Sequence, residues 1–390
     1  MSACVALPEN LEDGSLLYVA YVILTPVAFS LGLLANLLNL FVLNSNHIRR
    51  YNAAFTYLAA LSLADLLYLV CITPQYLRHS QVLEPEVTYS ETMTSLTGAC
   101  RLLRAILLHV ALWCTALATV VCLLRVRTYD VTGCTRISIS RFVVFLFCVA
   151  STILNLPRIF QYSVQPITGH CFEGEELWDL HTTDFGDTIL YRTLYQWIVI
   201  AVALVTPFVV ILVASCVLPC RIGIRRFCLS NQCLPSAGSD KDRELQLAKC
   251  TVILASVSLV TCVPHAVVSV LTVLFEDPTF STTFDLQTLT HISEMLLLFR
   301  TVAPGFIYFF AYGDYHKAIC RTLFCSADEY YEPCACVYLA CARAKELPLD
   351  CDVLDYARAK ENAALAANIR STNSFLNSKK KPKKEFSRWV

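Results

Sequence analysis

Apolar residues along this chain fall in long unbroken runs, not in the short stripes of a water-soluble protein. Seven such runs lie near Leu16–Leu43, Ala53–Tyr76, Gly98–Val126, Phe142–Tyr162, Ile189–Leu218, Leu247–Phe275 and Leu286–Tyr312. Each is long enough to cross a hydrocarbon core, which takes about 20 residues. A backbone exposed to lipid must pair its own amides and carbonyls, so every run is expected to be a helix. Short connections join the runs, and together they fill residues 16 to 312. The third run contains Arg101, Arg104 and His109, and the seventh contains Glu294 and Arg300, which makes these two less clean by hydropathy. The first run has no positively charged n-region before it and reads as a retained span, not a cleaved leader.

Composition agrees with the pattern. Of 390 residues, 56% are hydrophobic and 16% charged, against about a quarter charged in ordinary soluble chains. The formal net charge is zero, so bulk charge points to no nucleic-acid partner. The placement of charge says more. Arg49 and Arg50 follow run one; Arg127, Arg136 and Arg141 follow run three; Arg221, Arg225, Arg226, Lys241, Arg243 and Lys249 follow run five; Lys317 and Arg321 follow run seven. The opposite side is acidic, most strongly in the second loop there, with Glu173, Glu175, Glu176, Asp179, Asp184 and Asp187. Arg78 is the one clear base among those loops. Basic loops stay cytoplasmic, so the amino terminus is expected outside and the tail inside, in the plasma membrane.

The chain has 20 cysteines, most of them in spans or on the cytoplasmic side, where thiols stay reduced. On the outer side stand Cys4, Cys100 and Cys171. Cys100 opens run three, Cys171 sits in the acidic loop, and a disulfide between them is the expected pairing, with Cys4 left over.

Seven helices, an outer amino terminus and facing cysteines on the third helix and second outer loop resemble a rhodopsin-like (class A) G-protein-coupled receptor. The resemblance covers roughly residues 16 to 325. Run one holds Gly32-Leu-Leu-Ala-Asn36, similar to the family's Gly-Asn signature, and run two holds Leu61-Ser-Leu-Ala-Asp65. Asn155-Leu-Pro157-Arg158-Ile-Phe-Gln-Tyr162 is similar to invertebrate FMRFamide-type neuropeptide receptors. Pro207, Pro264 and Tyr308 fall at family positions. Other motifs are broken. Leu124-Arg125-Val126 stands for Asp/Glu-Arg-Tyr, Thr261-Cys262-Val263-Pro264 for Cys-Trp-x-Pro, and Pro304-Gly305-Phe306-Ile307-Tyr308 for Asn-Pro-x-x-Tyr. Phe147 and Ser215 stand where the family has Trp and Tyr. The fold implied is an all-α membrane protein: a seven-transmembrane helix bundle followed by a short amphipathic membrane-surface helix.

The resemblance implies roles residue by residue. Residues 1–15 would be an extracellular terminus, 16–312 the receptor domain, 313–325 the amphipathic helix and 326–390 a cytoplasmic tail. Arg125 would contact the G protein and pair at rest with Glu244, twenty residues before Pro264, or else face lipid headgroups. Tyr308 belongs to the same switch. Asn36, Asp65 and Arg300 form the core polar network. The family acid at Asp65 binds sodium; here Arg300 is expected to replace that ion, or to reach water in the cavity. Glu294 would face a ligand pocket with Arg104, Leu108, Gln75, Tyr195, His265, Ser269 and His291, and suits a cationic ligand group; the alternative is an internal pair with Arg104. Cys325 is a lipidation candidate, and Lys379–Lys384 a contact for anionic lipid.

The implied partners are an extracellular peptide, with a basic or amidated aromatic end, a heterotrimeric G protein and membrane lipids. No metal, cofactor or nucleic acid is implied. The competing reading is a receptor-like protein with weak or no coupling, acting as a ligand decoy or heteromer partner. Leu107 at the amine-binding position and the lack of Lys in residues 286 to 312 disfavour amine receptors and opsins. Nothing suggests the internal repeats of a transporter, or the nucleophile–base grouping of an enzyme.

Overall fold

A computed structural model describes residues 19–44, 53–80, 85–127, 137–172, 175–231, 238–274, 286–313, 315 and 319. The chain divides into two units, residues 1–329 and 330–390, and the second lies outside the described residues. So do residues 1–15, most of 313–325, Cys4 and Cys325.

Seven helices are long and apolar enough to cross a membrane, so the chain is a multi-pass membrane protein built as a seven-helix bundle. They are α1 (Thr25–Asn44), α2 (Ala54–Ser80), α3 (Glu91–Arg127), α4 (Ile137–Asn155), α5 (Thr206–Asn231), α6 (Gly238–Leu274) and α7 (Leu286–Ala311). α3 packs against α2, α4, α5 and α6, while α7 closes the ring against α1 and α6. α3 is the most buried span and α4 among the least. Small residues make α3's position possible: Ala111, Cys114, Thr115, Ala116, Ala118 and Thr119 are all buried. Between helices in lipid there is little hydrophobic driving force, so close packing and polar contacts must hold them together. Phe142, Phe145, Ile153, Val260 and Phe310 point outward and form the lipid-facing surface.

Span boundaries differ from the apolar runs in places. α3 starts at Glu91, ahead of Gly98, because its polar first turns have partners: Thr94 Oγ1 donates to Trp178 O (3.0 Å) and Thr97 Oγ1 to Met93 O (2.8 Å). The fifth span begins with two wide turns, Leu190–Tyr195 and Ile200–Val205, before α5. Pro207 has no N–H to give, which frees a carbonyl in the preceding turn. Thr206 Oγ1 donates to Ala201 O at 2.7 Å and satisfies a carbonyl that lipid could not.

The second outer loop is not irregular. Strand β1 (Tyr162–Phe172) pairs antiparallel with β2 (Glu175–Thr182), from Tyr162 opposite Thr182 to Phe172 opposite Glu175. Pro166 and Gly169 interrupt the ladder, and its register shifts between Pro166 and Cys171. Trp178 N–H donates to Tyr89 O (2.8 Å), Leu177 is buried, and Arg78 Nη2 donates to Asp179 Oδ1 at 2.8 Å. Arg78 therefore ties the hairpin to α2. Cys100 has no disulfide among the described residues, and the side chain of Cys171 lies outside them.

α1 and α7 touch backbone to backbone. A Cβ added at Gly305 would collide with Ala35 Cβ and lie 3.2 Å from Ala35 Cα. Gly305→Ala should therefore destabilise the purified protein by about 1–3 kcal/mol of overpacking strain. Adding Ala35→Gly should restore most of the loss. Thermal unfolding in nanodiscs checks this, and an unchanged midpoint for Gly305→Ala would count against the close contact.

Candidate functional site

Polar groups inside a membrane bundle collect where the lipid cannot reach them, and here they form three groups along its length. The middle group is an ion pair. Arg300 Nη2 donates to Asp65 Oδ1 at 2.7 Å, with side chains 2% and 0% exposed. Alone in mid-membrane, such an arginine costs about 2.5–3.5 kcal/mol on insertion scales, so it must find a partner. Asn36 lies beside it on α1, where Nδ2 donates to Gly32 O (2.9 Å) and to Thr301 O (2.8 Å). The three expected core residues thus join α1, α2 and α7. The guanidinium engages one carboxylate oxygen, while Asp65 Oδ2 and Arg300 Nε are buried with no hydrogen-bond partner.

At the hairpin end a second group surrounds Glu294. Gln75 Nε2 donates to Glu294 Oε2 at 2.7 Å, Tyr21 OH reaches the same oxygen at 3.4 Å, and Arg104 Nη1 lies 3.9 Å from Oε1. Arg104 also donates to Gln75 Oε1. Tyr21 OH sits 2.6 Å from His291 Nδ1, with the rings edge to face at 5.5 Å. Four helical segments thus converge on one carboxylate, and the Glu294–Arg104 contact is present together with the pocket.

Two adjoining cavities open beside this group. The first, about 450 Å³, is lined by Gln75, Arg104, Leu108, His265, His291 and Glu294 among others. The second, about 430 Å³, extends under the hairpin past His109, Tyr191 and Ser269. Arg101, Ala105, Leu108, Arg158 and His265 line both. Residues 101, 104, 105 and 108 follow helical spacing on one face of α3.

Seven of the eight expected pocket residues line one or both cavities. Tyr195 lines neither: its hydroxyl donates to Leu154 O at 2.8 Å and its ring stacks on Tyr191 at 4.8 Å. The structure adds Tyr21, Arg101 and Arg158, none of which was singled out as a pocket residue from the sequence. Arg158 arrives through a tight turn, Leu156–Phe160, that follows α4 because Pro157 cannot extend an α-helix ladder. Asn155, from the same motif, bonds His109 Nδ1 through Nδ2 at 2.9 Å.

The third group lies at the opposite end. Arg125 Nη1 of α3 meets Glu244 Oε1 of α6 at 3.2 Å, with both side chains about a quarter exposed (26% and 27%). Tyr308 is buried in the core cluster with Cys122 and Cys250, its ring 6.0 Å from that of Tyr315. Tyr315 OH donates to Asn39 Oδ1, a second link back to α1. Phe147 stacks on Trp113 at 4.7 Å, and Cys262 is fully buried. No group of three or more His, Cys, Asp or Glu suited to a metal occurs among the described residues.

No family model matches the chain. It is similar to the Caenorhabditis elegans protein named Probable G-protein coupled receptor AH9.1, 35% identical over 80 residues. That match covers 20% of this chain and 18% of the relative's length.

The buried pair makes a direct test possible. Arg300→Met strands Asp65 and should cost about 3–5 kcal/mol, while Asp65→Leu with Arg300→Met removes both charges and should recover most of that. Unfolding of the single and double variants in nanodiscs measures the coupling; additive losses would show that the two residues do not act as a pair.

Proposed function

We propose that this chain is a G-protein-coupled receptor of the rhodopsin-like type, with its hairpin end outside the cell and Arg125 at the cytoplasmic end. One observation carries the reading: α3 and α6 each run from the cavity to the Arg125–Glu244 pair. Arg104 on α3 stands in the cavity wall, and Arg125 lies roughly 30 Å further along the same helix at 1.5 Å per residue. On α6 the corresponding residues are His265 and Ser269 at one end and Glu244 at the other. A ligand that favours a different α3–α6 arrangement in the cavity would thereby weigh on the pair at the far end. The shift it causes is bounded by its difference in affinity for the two states. The partial likeness to a nematode receptor supports the same reading.

A peptide is the ligand class favoured by the adjoining cavities and by the acidic loop, whose field would draw a basic segment to the mouth at low salt. The subfamily resemblance adds an amidated aromatic end. The second reading, a receptor-like protein with weak or no coupling, draws on Leu124, which leaves Glu244 as the described acid paired with Arg125.

Nucleotide exchange on a panel of heterotrimeric G proteins separates the two. Removing a partly exposed pair worth up to about 1 kcal/mol, Glu244→Ala should raise basal exchange up to roughly fivefold on at least one member. No exchange by either protein on any member, with the variant folded, would leave the decoy reading standing.

A further inference from the structure

Among the described residues the cavity walls carry more arginines than carboxylates. Four arginines line the two cavities: Arg101, Arg104, Arg158 and Arg192. Two carboxylates line them, Asp187 and Glu294. Glu294 is already engaged by Gln75, Tyr21 and Arg104, and Asp187 is exposed at the rim. Arg101 and Arg158 pair with no carboxylate among the described residues. Arg101 makes a cation–π contact with Tyr162 at 5.2 Å. The Arg158 guanidinium lies beside the Tyr195 hydroxyl, and its Nε is buried with no hydrogen-bond partner. A buried donor left unmade is costly; Arg158 as a whole is partly buried and Arg101 is exposed.

The fixed fork of a guanidinium matches a carboxylate or sulfate with two parallel hydrogen bonds. Arg101 and Arg158 stand on the wall common to both cavities, and Leu108 and His265 belong to the same shared lining. We propose that this wall is an anion subsite: the ligand places a carboxylate or sulfate group between Arg101 and Arg158, next to an apolar or aromatic body on Leu108. The group would come from a free terminal carboxylate, an acidic side chain or a sulfated tyrosine. An amide end leaves both guanidiniums unmatched. This rests on reading the cavity as the ligand site, but not on coupling to a G protein.

The test uses the full chain in nanodiscs and three probes: N-acetylphenylalanine, its carboxamide, and phenyl sulfate. Thermal unfolding is followed as each is titrated into the millimolar range. The acid and the sulfate should raise the midpoint and the carboxamide should not. Charge-assisted bonds of this kind are worth roughly tenfold to a hundredfold in affinity, so Arg101→Gln and Arg158→Gln should each weaken the acid by at least about tenfold. Arg158→Lys should keep part of the effect. The wild-type comparison of acid with carboxamide stands even if a variant fails to fold. A carboxamide as effective as the acid, no shift from any probe, or an acid effect surviving both glutamine variants would overturn the proposal. Nucleotide exchange is read separately, so a failed anion subsite and a failed receptor reading give different results.

Discussion

The interaction on which the bundle depends is the ion pair between Arg300 on α7 and Asp65 on α2. A charged side chain in mid-membrane has no water to fall back on, so the two residues fix how α2 and α7 approach each other. The neighbouring contacts follow that constraint. Gly305 lets α7 lie on Ala35 of α1, and Asn36 hydrogen-bonds the Thr301 carbonyl one residue from Arg300. Leu69 and Val302 close around Gly32 in the same region. α1, α2 and α7 are thus joined by buried polar bonds and backbone contact.

The other side of the bundle is joined differently. α3 and α6 meet through apolar packing, a buried Cys122–Thr251 contact at 3.5 Å and, at one end, the partly exposed Arg125–Glu244 pair. Exposed pairs contribute little compared with buried ones. A molecule built this way has one tightly bound wall and one that is easier to rearrange, and stability within a protein is commonly uneven in this manner. The cavities lie between the two walls, with Glu294 and Gln75 on the first and Arg104 and His265 on α3 and α6. A molecule bound at that junction would touch both walls.

Much of this was legible in the sequence because the membrane leaves few choices. Apolar runs of sufficient length must be helices, and a lone arginine at position 300 must find an acid, for which Asp65 was the natural partner. The Arg125–Glu244 contact was implied by the family resemblance, through the distances from Cys100 and Pro264. Elsewhere local signals were weak or misleading. Pro166, Gly169 and a lack of clean alternation hid the hairpin, whose register is set by contacts with Tyr89, Thr94 and Arg78. Tyr21 was unremarkable inside an apolar run, although a tyrosine near the end of a span commonly anchors its hydroxyl to something polar. Arg158 was noticed as part of a motif but not as a cavity residue, because its direction depends on the tight turn after Pro157. Tyr195 was expected in the pocket, but a wide turn in that segment aims its hydroxyl at the Leu154 carbonyl.

We propose that Arg300 takes the place of a diffusible cation at Asp65. Thermal stability of the purified protein with sodium exchanged for choline at constant ionic strength tests this. The same midpoint is expected in both salts. A sodium-specific rise that disappears in Asp65→Asn would contradict it.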